Sequence, residues 1–263
     1  MLIPLAFAIG ILSSMMGVGG GFLAVPALVI LFSVPFQQAA GTSLLMIVFT
    51  ALSSTFAYFR QKRIDPGLGI LLALGSVPGS SIGAYATEFF GGKELSAAFG
   101  IFIAIASLRM ILNPRSPSSK ARVLSEKWRR HLVDAAKNTF EYNANPLSCL
   151  GLGFFGGFAS GLFGIGGGIV MVPAMRLLLG VPMHIAVATS MFTMVFTSIF
   201  GVLTHLYLRN VIPHYALLLA IGVIIGAQIG ALIAKQLKER RLQMFFGVFM
   251  IFVGIRMVIE YLL

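Results

Sequence analysis

The chain has 263 residues, of which 58% are hydrophobic and only 10% charged, with a mean hydropathy of +0.95; a soluble domain carries roughly 25% charged residues, so a water-soluble fold is excluded. The net charge of +11 gathers in a few loops between apolar runs, which marks orientation in a bilayer and not a nucleic-acid partner. The single cysteine, Cys149, forms no internal disulfide, so nothing here depends on an oxidising compartment.

In chain order, the first segment spans about 2–33 and is broken by Gly17-Val18-Gly19-Gly20-Gly21 and then by Pro26. Its start, MLIPLAFAIG, lacks a positive n-region and is echoed later, so it reads as mature protein. The two arms, 2–16 and 22–33, are each too short to cross about 30 Å of hydrocarbon, which takes about 20 residues. Three full-length apolar runs follow at 39–59, 67–87 and 95–112. A basic linker occupies 113–146, where Leu124, Trp128, Leu132, Ala135 and Ala136 stand at near-helical spacing; it is expected either as an amphipathic helix on the lipid surface or as a plain connector. A second broken segment covers 147–180, and three more apolar runs lie at 186–208, 214–234 and 242–262.

The second half repeats the first. Aligning GVGGG at Gly17 with GIGGG at Gly164 sets an offset of 147 that holds without a gap from Gly10/Gly157 to Leu112/Ile259, with about a third of the positions identical. Three units result: a first repeat at 1–112, the linker at 113–146 and a second repeat at 147–263. Arg60, Lys62 and Arg63 put the 60–65 loop inside, as do the linker's basic residues; in the second repeat the basic loop is the next one along, with Lys235, Lys238, Arg240 and Arg241. The halves therefore face opposite ways, which requires an odd number of crossings per half. The expected fold is an all-α polytopic membrane protein of two inverted-topology repeats, each a glycine-broken or re-entrant helical segment plus three transmembrane helices.

A run such as GVGGG holds a helix poorly, and inside hydrocarbon an unpaired backbone group costs several kcal/mol, so the break must be covered by protein or line a wet cavity. The arm after each break starts near the midplane with free N–H groups and the positive end of its dipole, which is an anion site. The alternative, that these glycines only allow close packing, suits Gly75, Gly79, Gly83, Gly222, Gly226 and Gly230, spaced four apart on one helix face. Hydroxyls can donate to an anion without a buried cation. The expected substrate-binding set is Ser13, Gly17, Gly19, Gly20, Gly21, Thr42, Ser43, Thr50, Ser160, Gly164, Gly166, Gly167, Gly168, Thr189, Ser190 and Thr197. The competing expectation for the hydroxyls is bonding to the preceding helical turn. Arg109 and Arg256 match across the repeats and lie near helix ends, where they can snorkel. His205, matched by Tyr58, is a candidate carrier of a coupling proton or else a structural donor.

All eight acidic residues fall in loops or at segment ends, so no carboxylate relay for a cation is evident. Walker A and HExxH motifs are absent, which argues against an enzyme; no metal and no cofactor is expected.

The twin pattern GVGGGFLAVPAL and GIGGGIVMVPAM, each followed by the Thr-Ser pair of AAGTS and AVATS, resembles the TauE/SafE family of sulfite exporter-like permeases. The resemblance covers the whole chain except the linker and implies a carrier in the plasma membrane, the inner membrane of a bacterium, for sulfur-containing anions such as sulfite, sulfonates or sulfate. The expectation is thus a secondary transporter working by alternating access around a midplane site, with an anion channel or a non-transporting membrane subunit of an enzyme complex as alternatives. Its expected partners are a small anion, the lipid bilayer and, as an open alternative, a second copy of the chain.

Overall fold

The computed structural model describes residues 2–112 and 128–236, together with Met244, Ile251 and Ile255. The first repeat holds α1 (Leu2–Met16), α2 (Gly21–Phe32), α3 (Phe36–Arg60), α4 (Pro66–Ala86), a 3-10 turn at Thr87–Phe89 and α5 (Gly92–Leu112). A hairpin of β1 (Trp128–Val133) and β2 (Thr139–Ala144) leads into α6 (Pro146–Phe163), α7 (Gly168–Leu179), α8 (Met183–Tyr207) and α9 (Pro213–Gln236). The run expected at 242–262, and Arg256 with it, lies outside the described residues apart from three single positions.

Among the described residues, five segments are long and apolar enough to cross a membrane: Phe36–Arg60, Pro66–Phe89, Pro146–Phe163, Met183–Tyr207 and Pro213–Gln236. They present Phe59, Leu74, Leu203, Leu217, Ile225 and Leu232 outward, a surface that only lipid covers without cost. The arms α1 and α2 are as short as expected, at 15 and 12 residues. The arm α6 is longer, at 18 residues, because Asn145 caps it and Pro146 occupies its first turn.

The repeats interlock. α4 lies along α6, where a Cβ on Gly75, Gly79 or Gly83 would fall inside the carbonyls of Leu150, Phe154 and Phe158. α1 lies along α9 in the same way, with Gly222, Gly226 and Gly230 against Ile3, Phe7 and Ile11. Backbones this close gain dispersion and weak C–H···O contacts along the whole seam. These six glycines are therefore packing surfaces. α3 and α8, equivalent by the offset of 147, run antiparallel: Gly41 near the start of α3 faces His205 and Asn210 at the end of α8, while Thr189 near the start of α8 meets Asp65 beyond the end of α3.

Hydrogen bonds between loops sort the two ends of the molecule. At one end Asn210 Nδ2 donates to Glu88 Oε1 at 3.0 Å and Gln37 Nε2 to the Phe90 carbonyl at 3.2 Å. At the other, Gln61 Nε2 reaches the Ala231 carbonyl at 3.2 Å, and the hairpin docks on the 61–65 loop through Ala135 N to the Gln61 carbonyl at 3.0 Å. This end carries Arg60, Lys62, Arg63, Arg129, Arg130 and Lys235 and is called the basic end below.

Over its described part the linker is not an amphipathic helix: 128–144 forms an antiparallel hairpin pairing Trp128 with Ala144 through Val133 with Thr139. The burial alternates along both strands, a period of two that overrides the looser helical spacing of Trp128, Leu132 and Ala135. Asp134 fixes the turn by accepting from Ala136 N and Asn138 N, both at 2.9 Å. Leu124 lies outside the described residues.

Candidate functional site

Each glycine break is built from left-handed residues. Gly17, Gly19 and Gly20 have φ of 73°, 82° and 95°, and Gly164, Gly166 and Gly167 have 70°, 75° and 85°, conformations that cost an L-residue roughly 1–2 kcal/mol each. The chain doubles back there, since a Cβ on Gly20 would lie 2.8 Å from Ile9 and 3.3 Å from Ser13 of the preceding arm. The two breaks meet: a Cβ on Gly21 would collide with the Gly164 carbonyl, and one on Gly168 with the Gly17 carbonyl. This exchange is reciprocal between positions that the repeat offset of 147 makes equivalent. Between the breaks sit the equivalent side chains Ile47 and Met194, 3.0 and 2.9 Å from the Cβ positions of both Gly19 and Gly166.

Hydrogen bonding in α2 begins with Ala24 N and Leu23 N, both to the Gly20 carbonyl at 3.0 Å. In α7 it begins with Met171 N and Val170 N to the Gly167 carbonyl at 2.9 and 3.1 Å. The amides of Gly19 to Gly21 and Gly166 to Gly168 precede these bonds, and the positive ends of two helix dipoles converge on them. Ser160 Oγ is buried and has no hydrogen-bond partner among the described residues; its equivalent Ser13 donates to the Gly10 carbonyl at 3.2 Å.

The Thr-Ser pairs hold this junction together. Ser190 Oγ donates to the Gly17 carbonyl at 2.7 Å, and Ser43 Oγ donates to the Gly164 carbonyl. Thr189 Oγ1 accepts from Asp65 N and Thr42 Oγ1 from Ile212 N, both at 3.0 Å. Each pair thus bonds backbone of the opposite repeat. Thr50 Oγ1 donates to the Met46 carbonyl and Thr197 Oγ1 to the Thr193 carbonyl, both at 3.1 Å; Thr197 also meets Ser76 Oγ at 2.6 Å. In this conformation most of the expected hydroxyl set is committed to the protein itself, and Ser160 is the member without a partner among the described residues. Ile47 and Met194 carry no polar signal, and only their equivalence under the repeat offset pairs them.

His205 is fully buried and its Nε2 lies 2.9 Å from the Gly161 carbonyl; Tyr58 OH makes the matching bond to the Ser14 carbonyl at 2.7 Å. A carbonyl only accepts, so the proton sits on Nε2, and Nδ1 has no partner among the described residues. Arg109 falls near the end of α5. No group of three or more metal-ligating side chains occurs among the described residues.

Comparison with known proteins identifies the family. The family model described as Sulfite exporter TauE/SafE matches residues 2–257. The chain is 38% identical to the probable membrane transporter protein YunE of Bacillus subtilis, over 98% of this chain and 97% of that protein. It is 29% identical to the probable membrane transporter protein MJ0441 of Methanocaldococcus jannaschii, over 92% and 89% of the two. No solved structure matches it. The glycine breaks, the spans and these relatives identify the chain as a multi-pass membrane transporter that belongs to the TauE/SafE sulfite exporter family.

Proposed function

We propose that the protein is a secondary transporter of the plasma membrane that moves a small sulfur oxyanion or organosulfonate by alternating access, the anion resting between the starts of α2 and α7. The observation that carries this reading is the reciprocal contact of Gly21 with Gly164 and Gly168 with Gly17, which brings two sets of helix-terminal amides together without a buried cation. Inverted topology is part of it: α3 and α8 are equivalent and antiparallel, so the axis relating them lies across the spans, and the basic end is cytoplasmic. Ile47 and Met194 close the centre in this conformation, and the halves separate around them when the anion enters.

In proteoliposomes the purified protein is expected to carry sulfite with saturable kinetics and to exchange it against internal sulfite. Linear flux without exchange would indicate a channel, and no flux at all a non-transporting subunit. In the same reading His205 takes the coupling proton on Nδ1. His205→Tyr, which installs the residue of the matching position, is expected to keep the melting temperature and to remove the pH dependence of flux between about pH 5 and 8. A wild-type pH profile in that variant would remove His205 from the role.

A further inference from the structure

A second cluster of positive charge is buried at the basic end, and the junction does not use it. Arg63, between α3 and α4, is 5% exposed, and so is Arg176, eight residues or about 12 Å along α7 from Gly168. Among the described residues the side-chain partner of Arg63 is Asp134, with Nη2 3.4 Å from Oδ2, the long limit of a hydrogen bond. Asp134 is already occupied: Oδ1 accepts from Ala136 N and Asn138 N, and Oδ2 from Asn138 Nδ2 at 3.1 Å. Arg63 Nη1 is buried and has no partner among the described residues. His184, the second residue of α8, lies within Coulombic reach of Arg63, Arg176 and Asp134, and α7 packs against β2 of the hairpin that carries Asp134.

A guanidinium stays protonated at any physiological pH, and burying one with a free N–H edge is costly unless an anion completes it. The carboxylate beside Arg63 is held by its own turn. We propose that Arg63 Nη1, flanked by Arg176 and His184, binds one small oxyanion of the sulfate or phosphate type at the basic end, apart from the central junction. Guanidinium forks select such ligands by paired N–H···O bonds. The ligand is either a free anion or the phosphate of a lipid headgroup, which share this chemistry.

The test is thermal unfolding of the purified full-length protein in sodium sulfate against sodium chloride at matched ionic strength. Wild type is expected to gain melting temperature in sulfate. Arg63→Met is expected to raise the sulfate concentration for half-effect at least tenfold, read as the shift from its own melting temperature in chloride. Asp134→Asn, which withdraws the competing carboxylate, is expected to lower that concentration severalfold, a change that a merely structural Arg63 would not produce. Should Arg63→Met fail to fold, Arg63→Lys serves, with the half-effect concentration again raised about tenfold. Added phosphatidylglycerol that abolishes the sulfate response of wild type assigns the site to a lipid headgroup; persistence of the response assigns it to a free anion. Full retention of the sulfate response in the arginine variant and an unshifted Asp134→Asn overturn the proposal. Ser160→Ala, at the central junction, is expected to leave the Arg63-dependent part of the response intact, so the two sites fail separately.

Discussion

Alanine at Gly21 or Gly168 is expected to prevent the two repeats from closing, with a loss of about 3 kcal/mol or more and of all transport. Neither position needs a left-handed backbone, so conformational strain is not the cause. The added methyl at Gly21 would occupy the place of the Gly164 carbonyl oxygen, and at Gly168 that of the Gly17 carbonyl oxygen. Those carbonyls are held by Ser43 and Ser190, so they cannot move aside without also breaking a buried hydrogen bond, each worth about 1 kcal/mol. Gly151→Ala is the control: no atom lies within 4 Å of its Cβ position, and it sits inside α6, where alanine is favoured by roughly 0.8–1.0 kcal/mol. Unfolding in detergent should separate these variants in opposite directions from wild type. Equal melting of Gly21→Ala and Gly151→Ala would mean that the breaks do not bear on each other.

Asp65→Ala is expected to cost about 3–5 kcal/mol, the usual loss when one partner of a buried ion pair is removed. Asp65 is fully buried at the N-cap of α4, where it accepts from Leu68 N at 3.1 Å, Arg130 Nε at 2.9 Å and Tyr142 OH at 2.5 Å, while its own N–H donates to Thr189. Its removal frees the hairpin from the 61–65 loop and leaves Arg130 and Tyr142 without their acceptor. Burial pushes the carboxyl up, but the bonds from Arg130, Tyr142 and Leu68 N outweigh it and hold the acid below its ordinary range. A carboxyl depressed in the folded state contributes stability above its unfolded pKa of about 3.9 and loses it as pH falls through the folded value. The melting temperature should therefore hold from neutral pH to about pH 5 and fall below about pH 4. Asp65→Asn should start lower and flatten that acid limb. An acid limb unchanged in Asp65→Asn would assign it to other carboxyls.

The positions that the repeat and the hydrocarbon length govern were legible in the sequence. The spans at 39–59 and 214–234 fall within α3 and α9, and those at 67–87 and 186–208 overrun α4 and α8 by one residue each, because a bilayer demands about 20 apolar residues in a row and few sequences supply them by accident. The breaks at Gly17 and Gly164 were equally plain, since a cluster of adjacent glycines exceeds what close helix packing needs. What stayed hidden depends on partners distant in the chain. Nothing local in AAGTS or AVATS says that Thr42 caps Ile212 N or that Ser190 holds the Gly17 carbonyl. Ile47 and Met194 look like any lipid-facing residue until the fold puts them between the two glycine breaks. In the linker, Phe140, Tyr142 and Ala144 alternate as a strand does, a pattern outweighed in the sequence by basic residues that suit a surface helix equally well.

The central claim is that helix-terminal amides at the two breaks hold the anion, and anomalous scattering from crystals grown with selenate tests it most directly. The expected selenium peak lies within hydrogen-bond reach of the amides of Gly20, Gly21, Gly167 and Gly168. A junction without selenium in crystals that bind it elsewhere, for instance only beside Arg63, would contradict that claim.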